Sequence, residues 1–204
     1  QYPWEEMRGG TPLGREAMAA LRKKLGIGYW NGSGGLYGSR GRVRDAKRQL
    51  RRALAGKVDR LQFVNDRLLG LMNRFAGPFT VVTGWDLRKT LAVLKPVYGL
   101  MRGEPTDGTM ASAYWRKRTA PPTDPDPDRD GCGLLWSSPV LPNTGAHALS
   151  LTRAVTDILL AHGFEPQMSI PMATERTQIC VTTISYDREV PGEDDRAAAC
   201  YADL

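Results

Sequence analysis

Gly133-Leu-Leu-Trp-Ser-Ser-Pro-Val140, read with the helix signals after it, decides the fold. The stretch is strand-like, and Thr144 then stands where a capping hydroxyl opens a helix. Leu151, Ala154, Val155, Ile158 and Leu159 recur at helical spacing and are expected on its inner side. Gly163 closes this helix, with His162 in the last turn. Gln167–Met172 and Gln178–Tyr186 follow as extended segments, the second rich in β-branched residues. Behind Gly192, the acids Glu193, Asp194 and Asp195 favour the first turn of a final helix, by about 0.3–1 kcal/mol each.

Upstream, Thr119-Ala-Pro-Pro-Thr-Asp-Pro-Asp-Pro-Asp-Arg-Asp130 alternates proline with acid. Such a segment forms neither a helix nor a central strand, so it is expected as a surface loop. It would join two halves, about 1–118 and 131–204. The first half shows the same order of signals. Thr11-Pro12 opens a helix carrying Leu13, Ala17, Leu21 and Leu25, and Gly26 ends it. The aromatic, glycine-rich run Ile27–Gly38 reads as a strand. Ser39 then caps a basic helix that Gly56 stops, and Arg60–Val64 reads as the next strand. Asp86 caps a helix with Leu87, Leu91 and Leu94 that Pro96 should distort or end, and Gly103-Glu-Pro-Thr106 is a turn. Two ferredoxin-like strand–helix–strand halves imply an α+β fold, an antiparallel sheet flanked by helices.

The chain has 204 residues, enough for a sizeable core, with 41% hydrophobic and 25% charged residues as in an ordinary globular protein. Cys132, Cys180 and Cys200 make no closed disulfide set and have no metal-ligand spacing to a histidine, which points to a reducing, cytoplasmic compartment. No apolar run approaches the roughly 18 residues of a membrane span, so no membrane role is expected. Gln1 in place of methionine, and a last helix without a stop signal, are expected of a piece of a longer polypeptide. The net charge of +6 is concentrated in Arg40–Arg52, with seven cations against Asp45 alone. Val43, Ala46, Leu50, Ala53 and Leu54 give that helix an apolar face. A solvated cationic back is the simpler reading, and nucleic-acid binding the competing one.

Familiar catalytic constellations are absent. There is no Gly-x-Ser-x-Gly elbow and no P-loop ending, and Gly32-Ser-Gly-Gly-Leu-Tyr-Gly38 lacks dinucleotide-loop spacing. His162 suits a helix C-terminus, His147 a surface, Cys180 an apolar strand and Arg176 a strand end. These residues identify no catalytic group.

Several stretches, in order, resemble the substrate-covering cap of the vanillyl-alcohol oxidase and p-cresol methylhydroxylase flavoprotein family. They are Tyr29-Trp-Asn-Gly-Ser-Gly-Gly-Leu-Tyr-Gly38 with its basic helix, Gly99-Leu-Met-Arg-Gly-Glu-Pro-Thr106, Tyr114-Trp-Arg116, Trp136-Ser-Ser-Pro139, and Ile184-Ser-Tyr-Asp-Arg188 followed by Arg196-Ala-Ala-Ala-Cys-Tyr201. The resemblance implies an antiparallel sheet closing over the isoalloxazine of FAD, which a separate FAD-binding domain holds. It also implies hydride transfer from a para-substituted phenol, with a homodimer as an expected assembly. Trp136, Ser138, Met168, Ile170, Cys180 and Thr182 would border the substrate cavity, and Tyr114, Trp115, Arg116 and Leu134 would lie toward the flavin. Leu134 falls where oxidase members tether the flavin through histidine. Tyr114 is one residue from the tethering tyrosine of another branch, or else a packing aromatic. The acid expected near Thr109 and the histidines expected near Ile179 and Cys180 are replaced. Family members acting on hydroxy acids or other alcohols supply an alternative substrate class. This chain alone is expected to be inactive.

Overall fold

The computed structural model describes residues 16, 19, 20, 22, 23, 28–83 and 95–204. The helices expected over 13–25 and 87–94 lie outside, or mostly outside, the described residues. Trp30–Thr109 form one compact unit, and Met110–Leu204 lie in a second.

In the first unit, α1 (Arg40–Leu54) starts where expected, the Ser39 hydroxyl accepting from the Arg42 N–H at 3.4 Å. Gly56, at φ +69°, ends it. Helix α2 (Asp66–Thr83) is opened by Asn65, whose side-chain oxygen accepts from the Leu68 N–H at 2.9 Å. Leu69 packs with Val64, Met72 and Tyr98. Residues 95–101 are helical, so Pro96 lies inside a helical stretch instead of ending one. Gly103, at φ +82°, closes that stretch with the Glu104 N–H on the Gly99 carbonyl and its own on Leu100.

The strands expected over 27–38 and 60–64 do not form: residues 28–38 and 60–64 are irregular. Glycines at 32, 34, 35 and 38 make ordering costly, and Tyr29, Trp30 and Tyr37 stay exposed where a strand would have to bury its aromatics. Among the described residues, all strands lie after position 131.

In the second unit, β1 (Cys132–Ser137) and β2 (Val140–Pro142) run antiparallel to β5 (Val181–Asp187) and β4 (Thr177–Ile179). The register is continuous: Ser137 faces Thr182 and Val140 faces Ile179. Pro139 and Cys180 interrupt the two runs at matching places, joined by the Cys180 N–H on the Pro139 carbonyl at 2.9 Å. Pro139 has no N–H to return, so the ladder breaks there into a three-stranded sheet, β1-β5-β3, and a two-stranded one. Strand β3 (Gln167–Ser169) pairs with β5.

Helix α3 (Gly145–Ala161) is capped by Thr144, as expected. It ends in a Schellman turn, Gly163 at φ +75° and the Phe164 N–H on the Leu159 carbonyl. Val155, Leu159, Phe164, Ile184 and Tyr186 form the core with Ala197 and Cys200 of α4 (Glu193–Asp203). Leu151 and Ile158 pack against it, but Ala154, expected inside, is exposed, and Thr152 is buried in its stead. Tyr186 lies directly across Gly133, where an added Cβ would stand 2.4 Å from its ring. The α+β class, with antiparallel sheet flanked by helices, is thus what the sequence implied.

Candidate functional site

Residues opposite one another in an antiparallel ladder share a face, and alternate residues of a strand change face. Leu135 with Ile184, Gly133 with Tyr186, and Ser137 with Thr182 and Met168 therefore lie toward α3 and α4. The opposite face carries Leu134 beside Ser185, Trp136 beside Thr183 and Gln167, and Val181 beside Ser169. Among the described residues, no helix packs on its middle. Trp136 is 65% exposed and Leu134 39%. The Ser185 hydroxyl donates to the Gln167 side-chain oxygen at 2.9 Å, making one neutral polar strip beside the apolar pair. Among the described strand residues of this face, none is charged until Asp187.

At the Asp187 end, residues 113–117 close the face. Ala113, Tyr114 and Cys132 pack together. Tyr114 is 2% exposed, and its hydroxyl donates to Asp130 at 2.5 Å. Burial first, then the Asp130 carboxylate, push the phenol well above its ordinary pKa. The reciprocal bond from Tyr114, with the Asp126 N–H, holds Asp130 below the usual carboxylate value. Lys117 lies 2.7 Å from both Asp187 and Glu189. Burial opposes its charge, but the two carboxylates prevail and raise its pKa. Arg116, buried, reaches Glu165 at 3.2 Å and Glu193 at 3.7 Å. Burial draws its pKa down and Glu193 resists. Burial also raises the Cys132 thiol, which stays protonated near neutrality despite Lys117.

The ten residues expected at the site thus divide. Trp136 and Leu134 share the open face. Thr182 and Cys180 are fully buried, 3.7 Å apart, and Thr182 shares the helix-packed face with Met168. Ser138 is exposed and Ile170 half-buried, both just beyond strand ends. The six substrate-side residues do not line one surface, because the register gives Thr182 the parity of Ser137, not of Trp136. Tyr114 and Arg116 are enclosed by their own partners, Trp115 between them is half-buried, and the Tyr114 hydroxyl is occupied by Asp130. Thr183, Gln167 and Ser185 belong to the open face and were not singled out by sequence reasoning. Strand alternation around Trp136 was the signal that could have found them, once the pairing was known. Among the described residues no three metal-ligating side chains converge, and none of the helices is long and apolar enough to cross a membrane.

No family model matches the chain. It is 41% identical over 205 residues to the 1'-carboxy-chondrochloren decarboxylase of Chondromyces crocatus, an alignment taking in the whole chain and 38% of that protein. Solved structures of p-cresol methylhydroxylase with substrate bound match 99% of this chain and 33% of theirs, at a TM-score of 0.67 and 19% identity. The 4-ethylphenol oxidase of Gulosibacter chungangensis, in its isoeugenol complex, matches 98% and 33% with the same TM-score and identity. The chain therefore spans between a third and two-fifths of these proteins. The resemblance seen in the sequence is borne out in three dimensions: the chain has the α+β fold of the cap domain of the vanillyl-alcohol oxidase and p-cresol methylhydroxylase family.

Proposed function

We propose that this chain is the cap of an FAD-dependent oxidoreductase acting on para-substituted phenols, and that the open sheet face is the wall it turns toward substrate and flavin ring. The observation that carries the reading is the exposed Leu134–Trp136 pair on an uncharged sheet face, in a chain with this family's cap fold. That surface fits a flat aromatic system: Trp136 offers stacking area and Leu134 an apolar flank. It does not fit the dinucleotide's phosphates, since the described strand residues of the face include no cation. The FAD-binding domain of the parent protein would hold those groups.

Bound FAD would supply the acceptor for hydride from the benzylic carbon. This chain's part is to exclude water and position. Trp136 and Leu134 would pack the phenol ring, while Thr183 and Gln167 offer neutral hydrogen bonds beside it and the buried Ser185 hydroxyl holds the Gln167 amide in place. The groups that hold the phenolate must come from the rest of the protein, because the face presents no cation to do so.

The decarboxylase relative favours a particular version of this chemistry, in which the para substituent carries a carboxylate. Against a neutral, apolar wall a carboxylate loses hydration and gains no counter-ion, which favours its departure as carbon dioxide. With the carboxylate on the carbon next to the benzylic one, the electrons of the broken C–C bond would form the side-chain double bond and refill the ring left electron-poor by hydride loss, so one two-electron oxidation accounts for a vinyl phenol and carbon dioxide. A hydroxy-acid substrate is less well served, since recognition of its carboxylate calls for a cation the face lacks. The test is the full-length protein, purified with its flavin and given 4-alkylphenols, 4-hydroxyphenyl carboxylic acids and lactate. Flavin bleaching by the phenols, with carbon dioxide release from the acids, is expected. A protein that stays colourless after FAD addition, or that responds to lactate alone, would overturn the reading.

A further inference from the structure

A second surface lies on α1, in the unit with no described strand, and is independent of the proposed chemistry. Arg40, Arg44, Lys47 and Arg51 fall four, three and four residues apart, a single stripe roughly 16 Å long at 1.5 Å per residue. With Gly38 and Val43 they line a shallow groove of about 380 Å³. Phe63 forms part of the same surroundings, its ring centroid 5.3 Å from the Lys47 ammonium and 5.0 Å from the Arg51 guanidinium.

Three features separate this stripe from an ordinary solvated helix back. The helix's one acid, Asp45, is already paired with Arg48 at 2.7 Å, off the stripe. Among the described residues no carboxylate meets any of the four stripe cations. Arg40–Arg44, Arg44–Lys47 and Lys47–Arg51 are helix neighbours of like charge, so the bare groove is self-repelling. Finally, α1 buries none of its residues, so packing does not explain why its cations gather here.

We propose that this groove binds a compact oligophosphate, as a free anion or as the phosphate chain of a small metabolite. Three of the four cations are arginines, whose planar forks match phosphate oxygens two at a time. The volume is that of a small-molecule site, toward the lower end of the usual 300–1,000 Å³. Val43 gives the groove an apolar patch where a non-phosphate portion could rest.

Titration calorimetry of the 204-residue chain with inorganic tripolyphosphate, at about 50 mM salt where charge is weakly screened, tests this. One site per chain is expected. Arg44→Gln and Lys47→Gln should each weaken binding about tenfold, the scale of one charge-assisted hydrogen bond. Arg42→Gln removes the same charge from the far side of the helix and should change it less than about twofold. Far-ultraviolet circular dichroism confirms that α1 persists in each variant. Parallel titrations with adenosine diphosphate and pyrophosphate distinguish a metabolite from the free anion. Absence of binding, or equal weakening by all three substitutions, would overturn the proposal. A twelve-residue oligothymidylate that binds more tightly than tripolyphosphate, increasingly so with length, would also overturn it, in favour of a nucleic-acid track.

Discussion

Replacing Lys117 by methionine tests the architecture at the closed end of the sheet. Lys117 holds Asp187 at 2.7 Å, with side-chain exposures of 6% and 10%, so its removal strands a buried carboxylate. Loss of one partner of such a pair costs about 3–5 kcal/mol. The Glu189 N–H also donates to Asp187 at 3.1 Å and survives the change, which places the expected cost at the lower end, about 3 kcal/mol. Glu189 itself is 73% exposed, so Glu189→Gln should cost less than about 1 kcal/mol. In the double variant Lys117→Met/Asp187→Leu no charge is left stranded, and much of the loss should return. Urea unfolding followed by tryptophan fluorescence and circular dichroism measures the unaltered chain, these variants and the Asp187→Leu single. A Lys117→Met loss below about 1 kcal/mol, or a double variant as unstable as the sum of its singles, would refute the reasoning.

Two further predictions concern the same unit. Tyr114 and Lys117 both have folded pKa values raised above their unfolded ones. Their contributions are complete below the unfolded values, about 10 and 10.4, and fade as pH rises toward the folded ones. The urea midpoint should therefore fall above about pH 10, and less steeply in Tyr114→Phe; an identical slope in that variant would contradict the assignment. Gly133→Ala would drive a methyl group into the Tyr186 ring and should cost about 1–3 kcal/mol, partly restored by adding Tyr186→Leu. A neutral Gly133→Ala would show that the ring can move aside.

Legibility in the sequence followed the range of the interactions. Thr144 and Gly163 bound α3, and Ser39 and Gly56 bound α1, because caps act within a few residues of the ends they fix. Helix α2 was not anticipated although Asn65 caps it, and it holds Gly70, Gly77 and Pro78, residues of low helix propensity. The aromatic run 28–38 carries strand-forming side chains, but no described strand pairs with it, and a strand without a ladder is not stable. The site was half visible. Trp136 and Leu134 could be marked through the family resemblance, but the parity of Thr182 depends on a register set 45 residues away in sequence. Likewise Arg116 and Lys117 read as a basic run, while their partners Glu165 and Asp187 stand 49 and 70 positions downstream.

Trp136 offers the most direct measurement of the account's main claim. At 65% exposure its truncation to alanine should leave stability within about 0.5 kcal/mol. In the full-length flavoprotein, the single-turnover rate of flavin bleaching by a 4-alkylphenol should nonetheless fall by about tenfold or more, as expected when a packing wall loses roughly 1.4 kcal/mol of transition-state contact. Unchanged bleaching in a stable Trp136→Ala protein would mean that the open face looks elsewhere, and that the substrate meets another wall.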